Sequence, residues 1–434
     1  EATKMLRVVD SNRQLQQVMI DFWLNHFNVD IRKNPMMAYY LTEYERQAIA
    51  PHAMGKFEEL LVATAHSPAM LLYLDNASSA GPHSQAATAA QQVSSSATVQ
   101  RPKRRASGLN ENYARELMEL QTVGVNSGYT QQDVIEVAKA FTGWTIARPL
   151  GGGGFAFNPA RHEPGTKLVL GHTIHEHGEA EGLQVLHILA TSPATAHHIS
   201  QELAERFVSD HPPQTLVDRM ARTFLATHGD IRPVLRTLFF SPEFWSHDTL
   251  NAKVKTPLEL VASAVRASNT QVERPVVLAL AVARLGMPLY ACQPPTGYSM
   301  NADAWVSSGS MVERMNFAIA FANNRLPGVT NDWDALMGSG SGSMDASQKE
   351  ARLEQLLLHG DISPTTHSVV IKDLAETATQ AQPHPFRLGR ASVRGYIVPV
   401  DRPAPDFHQR RKPQDREAAA TAGLLIGSPD FQSR

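Results

Sequence analysis

The stretch NENYARELMEL, residues 110–120, indicates how this chain folds. Tyr113, Leu117 and Leu120 recur at i, i+4 and i+7, which places them on one stripe of an α-helix. Asn110 is a residue type that caps helix N-termini, and Gly124 is a type that ends helices. The stretch therefore predicts a short amphipathic helix with one buried face.

The polar side of this helix admits two interpretations. Asn112 and Glu116 are four residues apart, as are Arg115 and Glu119, so each pair lies side by side on the helix surface. In the first interpretation the pairs form a solvated face. In the second they form the wall of a site, where Glu116 is an acid, base or metal ligand. Arg115 would then hold an anion, and Asn112 would orient one of these groups.

Helical periodicity recurs outside this stretch, while the period-two alternation of strands is nearly absent. An apolar stripe runs from Leu15 to Phe27, and helices are also predicted over 35–50, 57–65, 257–268, 275–284 and 314–322. His26 lies inside the first stripe, where it is either a core histidine with a hydrogen-bond partner or a ligand or base held by packing. The pattern predicts a mainly α-helical protein.

The dipeptide Ser-Pro ends four similar apolar segments, at residues 67–68, 192–193, 241–242 and 428–429. Serine is a helix cap, and proline suits the first turn of the next helix. Because the residue before proline avoids helical angles, the preceding helix should stop there. We therefore expect a fold built from helix-corner-helix units.

One extended excursion interrupts the helical pattern. Residues 155–171 contain a Pro-Gly turn followed by an apolar run, which predicts a short β-hairpin with His162 at its neck. His162, Glu163 and Lys167 form a polar group there.

Composition divides the chain into five segments. Residues 1–76 are the N-terminal helical part of the main domain, and 77–107, rich in Ser, Ala and Gln with a basic end, read as a disordered insertion. Residues 108–330 are the central helical part. A flexible linker is expected over 331–348, and 349–434 complete the domain as a C-terminal helical segment.

Charge and cysteine content exclude several classes of protein. Forty Lys and Arg residues balance 42 Asp and Glu residues, which argues against charge-driven nucleic-acid binding. The single cysteine, Cys292, excludes an internal disulfide framework and a cysteine-rich metal site. No apolar run reaches the roughly 18 residues of a membrane span. Because the chain opens on Glu1 in the middle of a pattern, we expect that an N-terminal portion has been removed.

A histidine and carboxylate set drawn from separate elements can form an acid/base pair or a metal site. We therefore expect His26, Glu116 and His162 to share one site, either as catalytic residues or as ligands of a divalent metal. No zincin motif, nucleotide-binding loop, nucleophile elbow or Rossmann fingerprint is present.

Other polar and aromatic residues are candidates for substrate binding. Arg115 or Lys167 could hold an anionic group beside that site, with Asn112 on the same wall. Tyr298, in the turn PPTGY, and the nearby Trp305 form either a binding rim or a structural loop.

These motifs together resemble a bacterial family called domain of unknown function 1800 (DUF1800). The resemblance rests on FWLNHF at 22–27, the stretch at 110–120, residues 162–171, KVKTP at 253–257 and PPTGY at 294–298. It implies an exported protein, periplasmic or extracellular, often encoded beside a sulfatase-like protein. Relatives usually carry His at the position of Gln121 and Asp at that of Glu163. The family brings no activity with it.

Two hypotheses follow. The chain is an exported enzyme that acts on a glycan or other extracellular polymer through His26, Glu116 and His162. Alternatively, it is a non-catalytic helical scaffold or binding partner of the sulfatase-like protein. Convergence of the three residues in one pocket would favour the enzyme. Their dispersal, or the use of Arg115 and Glu116 in buried pairs to the backbone, would favour the scaffold.

Overall fold

A computed structural model describes residues 1–96, 108–148, 151–377 and 415–434. These residues form twenty α-helices and three two-stranded antiparallel sheets, so the predicted mainly α-helical fold is confirmed. Among the described residues, no helix combines the length and apolar character that crossing a membrane requires.

Helices recur from one end of the described chain to the other. They are α1 Ala2–Asp10, α2 Gln14–His26, α3 Met37–Glu43, α4 Phe57–Ala65, α5 Pro68–Tyr73, α6 Gln85–Ser96, α7 Glu111–Glu119, α8 Gln131–Ala140, α9 Glu179–Ala190, α10 Pro193–Phe207, α11 Gln214–Ala226, α12 Ile231–Phe239, α13 Pro257–Ala267, α14 Pro275–Arg284, α15 Ser308–Ala322, α16 Trp333–Met337, α17 Ala346–Leu358, α18 Pro364–Thr377, α19 Arg416–Gly427 and α20 Pro429–Gln432. The π-helix Tyr44–Ile49 continues α3, so the single helix predicted over 35–50 changes its hydrogen-bond pattern midway.

The strand segments are more numerous than the sequence predicted. Strand β1 (Trp144–Ile146) pairs with β2 (Phe155–Phe157), and β3 (Lys167–Val169) pairs with β4 (His172–Ile174). The extended segment predicted near 155–171 therefore contains β2 and β3, which belong to two different hairpins. A third pair, β5 (Gln271–Val272) with β6 (Val329–Thr330), joins segments distant in sequence. The sequence predicted strand only near 155–171 and did not predict this pair, because a two-residue pairing leaves no periodic signal.

Two hydrophobic clusters form the core. The first is built from buried residues between positions 19 and 238, that is, from α2 to α12. The second combines Met5 and Val9 of α1 with buried residues between positions 258 and 431. Tyr290 packs against both clusters.

Three of the four Ser-Pro corners begin a helix. Ser67, Ser192 and Ser428 accept hydrogen bonds from backbone amides in the first turns of α5, α10 and α20. The prediction is wrong for Ser241, whose hydroxyl accepts from the amide of Phe244 at 3.2 Å in a run of turns. The cap bond forms there, but no helix follows it.

The predicted disordered insertion begins with a packed segment. Ser79 and Ser84 are buried. A Cβ atom on Gly81 would lie 2.6 Å from the Cα of Glu163, so this turn packs directly against the loop before β3. The disorder prediction is therefore wrong for residues 79–84. The basic end of the segment, 101–105, lies outside the described residues.

The predicted linker also begins with structure. Trp333 in α16 is buried, and its indole donates to the carbonyl of Ala322 at 2.9 Å. Flexibility therefore stays a prediction for residues 338–342 alone. The Pro- and Arg-rich part of the C-terminal segment, 378–414, lies outside the described residues.

Candidate functional site: a cleft beside Glu116

Helix α7 begins as its sequence predicts. The side chain of Asn110 accepts a hydrogen bond from the amide of Asn112 at 2.8 Å, while Tyr113 and Leu117 are buried in the first cluster. The buried stripe fixes the rotation of the helix. Asn112 and Glu116 are consequently held at the edge between core and solvent.

Arg115 belongs to the solvated face of α7. Its guanidinium lies 3.4 Å from the carboxylate oxygens of both Glu111 and Glu119, and it donates to Gln131 at 2.8 Å. These partners account for its charge and its donors. For Arg115 the interpretation as part of a solvated face therefore fits, and none of its contacts supports the expected anion-binding role.

Asn112 and Glu116 line a cleft of about 490 Å³. The rest of its lining comes from three separate segments: the loop after α2 (Asp30, Arg32 and Lys33), the end of α5 (Tyr73 and Leu74) and the loop residues Gln293 and Pro295. The cleft thus collects two carboxylates, two cations, two amides and a phenol from four parts of the chain.

Hydrogen bonds to the backbone hold the far wall of the cleft. Asn28 donates to the carbonyls of Cys292 and Pro294 at 2.9 and 2.8 Å. The hydroxyl of Tyr73 donates to the backbone carbonyl of Gln293 at 2.7 Å. Asp30 accepts from the backbone amide and the Nε of Arg32, both at 3.0 Å. The wall is therefore positioned by buried polar side chains.

The turn PPTGY continues this wall and is tied to α2. Asn25 exchanges two hydrogen bonds with the backbone of Tyr298, at 2.8 and 2.7 Å. Gly297 has a positive φ of 70°, and a Cβ atom there would collide with the carbonyl of Asn25. Glycine is required at this point by both its backbone angle and the close approach.

Glu116 differs from the other carboxylates of the cleft because its side chain has no hydrogen-bond or ion-pair partner among the described residues. Burial, and then the negative charge of Glu119, raise the pKa of Glu116, while the charge of Arg115 opposes them. A half-buried carboxyl whose pKa is raised holds its proton more tightly than an exposed one, which suits a general acid.

His26 lies in a separate buried network. Its Nδ1 lies 2.6 Å from the carboxylate of Glu202 on α10, and its Nε2 lies 3.2 Å from the carbonyl oxygen of Gln121. Burial would raise the pKa of Glu202, but the charge and hydrogen bond of His26 outweigh burial and lower it. His26 therefore joins α2, α10 and the end of α7.

His162 and Lys167 converge on one buried carboxylate, Glu181. His162 Nε2 lies 2.9 Å from Glu181 Oε1, and Lys167 Nζ lies 2.6 Å from Oε2. Glu181 is inaccessible to solvent and also accepts from the backbone amides of His177 and Gly178. Burial opposes its charge, but His162, Lys167 and the amides outweigh burial and lower the pKa of Glu181 to about 2.

Two nearby contacts complete this network. The Nδ1 of His162 lies 2.8 Å from the carbonyl oxygen of Thr142, and Lys167 also donates to the carbonyl of Glu163. The side chain of Glu163 accepts from the ring and the backbone amide of His83. Lys167 is fully buried and is therefore not placed to hold an external anion.

The structure does not bring His26, Glu116 and His162 together. Each has its own surroundings, and within the described ranges they do not form a group of metal-ligand atoms within 4.8 Å of one another. The expectation of a shared site or shared metal is therefore wrong. A buried polar group needs a partner. The two histidines meet that need with Glu202 and Glu181, which the sequence did not single out.

Tyr298 and Trp305 stabilise their own loop. The hydroxyl of Tyr298 donates to the carbonyl of Pro288 at 2.7 Å, and the indole of Trp305 donates to that of Ser299 at 3.0 Å. Their rings are 6.3 Å apart, and Trp305 is buried. These contacts favour a structural loop over a binding rim.

Sequence reasoning did not predict a site role for Asp30, Arg32 and Lys33. The only available signal was a charged cluster directly after the apolar helix α2, in NVDIRKNP at 28–35. Such a cluster is usually a solvated loop, and its approach to Glu116 depends on tertiary packing.

One comparison with known proteins identifies relatives. The family model described as "Protein of unknown function (DUF1800)" matches residues 1–433. Neither the curated proteins nor the solved structures contain a match to this chain. The description names no activity, so the chemistry has to be argued from the geometry.

Proposed function

The chain belongs to the DUF1800 family, and from the cleft around Glu116 we propose that it is an enzyme that hydrolyses a glycan or other extracellular polymer. The observation that carries the proposal is the state of Glu116. Its carboxyl has no partner among the described residues, burial and Glu119 raise its pKa, and it faces an open cleft of about 490 Å³. A catalytic role would account for a half-buried carboxyl that the fold leaves unpaired beside a cleft.

The proposed reaction divides the work between two carboxylates. Glu116 donates its proton to the leaving oxygen of the glycosidic bond as that bond breaks. Asp30, bound to Arg32, takes a proton from the water whose oxygen forms the new bond to the sugar carbon. In this proposal Glu116 and Asp30 form the catalytic pair, and His26 and His162 stabilise the fold.

The polar lining suits a hydroxyl-rich substrate. Asn112 and Gln293 offer amide donors and acceptors on opposite walls, and both are exposed. Arg32 and Lys33 are exposed cations at the same cleft, paired with Asp30 and Asp75. An acidic sugar would therefore exchange an existing ion pair for its own, which gives little net gain in affinity.

The test is hydrolysis of a panel of neutral and acidic polysaccharides, followed by release of reducing ends. We expect Glu116→Gln to lose about a hundredfold or more in kcat, the scale of general acid catalysis. Glu111→Gln, on the same helix and outside the cleft lining, is the matched control. Activity of the Glu116 variant equal to that of the control would refute the proposal.

A second candidate is a binding protein or scaffold for a sulfatase-like partner. Two observations favour it. His26, Glu116 and His162 are dispersed, the outcome expected of a scaffold. In addition, His26, His162, Lys167 and Arg115 all have partners within the chain. Affinity electrophoresis in the same polysaccharides separates the two. Retention by a polysaccharide that is never cleaved, unchanged in Glu116→Gln, would favour binding, and co-purification with the sulfatase-like protein would favour the scaffold.

The same proposal places the protein in the periplasm or outside the cell. The support is the family resemblance and a substrate class that is extracellular. Cell fractionation with an antibody against the chain tests the location, and a signal confined to the cytoplasmic fraction would contradict it.

A further inference from the structure

Two helices outside the cleft bring three ligand-type side chains together. Glu350 and Glu354 are one turn apart on α17, and His367 faces them from α18. The Nδ1 of His367 lies 3.3 Å from Glu350 Oε1 and 2.8 Å from Glu354 Oε1, and the ligand atoms of all three lie within 4.8 Å of one another. Within the described ranges this is the one group of three such residues.

The charge of Glu350 lacks a full partner in this arrangement. Glu350 is 3% exposed, and its Oε1 is buried without a hydrogen bond. A cation between this buried carboxylate and that of Glu354, whose ligand atoms lie within 4.8 Å of each other, would stabilise both charges.

The imidazole of His367 contacts both carboxylates, at the point where a positive charge would be stabilised. A divalent ion would supply that charge and would bind the neutral imidazole through Nδ1.

We propose that Glu350, Glu354 and His367 bind a divalent first-row metal ion such as Zn²⁺. Two carboxylates and an imidazole are ligands that Zn²⁺ accepts, and tetrahedral coordination at about 2.0–2.1 Å separates ligand atoms by about 3.3 Å. The contact from His367 to Glu350 has that length, whereas the shorter contact to Glu354 must lengthen by about 0.5 Å. His367 is half-exposed, so the ion can enter from solvent and keep a water as its fourth ligand.

The ion would join α18 to α17. Both helices pack on α19, and Leu353 and Val370 belong to the second hydrophobic cluster. A metal bridge between these helices would therefore stabilise that part of the core by mass action, because the site requires both helices in place. None of the three residues lines the cleft of Glu116.

Calorimetric titration of the tag-free, chelator-treated full chain with ZnCl₂ tests the site. We expect one Zn²⁺ per chain and a higher melting temperature with the ion bound. Glu350→Gln and His367→Asn should each weaken the affinity by more than about tenfold, since even outer partners of metal ligands act on that scale.

Two control variants separate this site from casual histidine binding. His187→Asn removes a histidine that is likewise 2.9 Å from a carboxylate, Glu58, but has no third ligand. His175→Asn alters the exposed group His172, His175 and His177. Both should bind Zn²⁺ as the unaltered chain does.

Absence of stoichiometric binding, or loss of binding in His175→Asn with retention in His367→Asn, would overturn the proposal. If the ligand variants fail to fold by circular dichroism, X-ray absorption of the Zn²⁺-loaded unaltered chain decides. One nitrogen with oxygen ligands supports the site, and two or more nitrogen ligands refute it.

Discussion

Glu119 lies one turn of α7 beyond Glu116, and after burial its negative charge is the largest influence that raises the pKa of Glu116. Arg115, directly before Glu116 in sequence, acts in the opposite direction. The acid strength of the proposed catalytic carboxyl is therefore set partly by two neighbours on the solvated face of its own helix.

Substitutions of these two neighbours should shift the pKa of Glu116 in opposite directions. Glu119→Gln should lower the pKa of Glu116, and Arg115→Gln should raise it. A general acid is active below its pKa, so the alkaline limit of the pH-rate profile should move to lower pH in the first variant and higher pH in the second. The carboxyl ¹³C resonance of Glu116 reports the same shifts without a substrate. Shifts of one sign in both variants would contradict the assignment.

Glu181 should be essential to the fold. Glu181→Gln leaves His162 and Lys167 without their shared carboxylate in a solvent-excluded place, which we expect to cost about 3–5 kcal/mol of unfolding free energy. Glu58→Gln breaks an exposed pair with His187 and should cost less than about 1 kcal/mol. Urea denaturation measures both. Equal midpoints for the two variants would show that the buried network contributes little.

The lowered pKa of Glu181 predicts part of the stability that the protein loses in acid. The pKa of Glu181 is lowered from 4.5 to about 2 on folding, so the folded state gains stability from its ionised form. That contribution is complete above about pH 4.5 and is lost as the pH falls towards 2. The unaltered chain should lose stability over this interval more steeply than Glu181→Gln does. Parallel stability curves between pH 5 and 3 would contradict this.

The thiol of Cys292 should be unreactive in the folded protein. Cys292 is buried behind the wall of the cleft, and burial, followed by the charge of Asp30, raises the pKa of its thiol to about 11. Thiolate is the reactive form, so a colorimetric disulfide reagent at pH 8 should react with it slowly until urea is added. Rapid stoichiometric reaction of the native chain would show that the wall at 291–295 opens.

Local patterns predicted the helices well because each depends on near neighbours. The helix predicted over 275–284 has those bounds. Asn110 caps α7 as expected. These features are decided by contacts within one or two turns, which the sequence displays directly.

The site could be predicted only in part because its partners are distant in sequence. Glu116 and Asn112 were singled out from their spacing, but Asp30 and Gln293 reach them through tertiary packing. His26 was recognised as needing a partner, yet Glu202 is 176 residues away. A single sequence shows which polar groups need partners and does not show which ones meet.

The corner at Ser192 gives the last prediction. Its hydroxyl accepts from the amide of Ala194 at 3.2 Å and caps α10, the helix that carries Glu202. Ser192→Ala removes this acceptor and should cost on the order of 1 kcal/mol of unfolding free energy. Ser192→Asp is the matched control, since aspartate keeps the cap and places a negative charge at the helix N-terminus. Urea unfolding should therefore rank the aspartate variant at or above the unaltered chain and the alanine variant below it. The reverse order would mean that the hydroxyl contributes nothing as a cap and that packing alone fixes the corner.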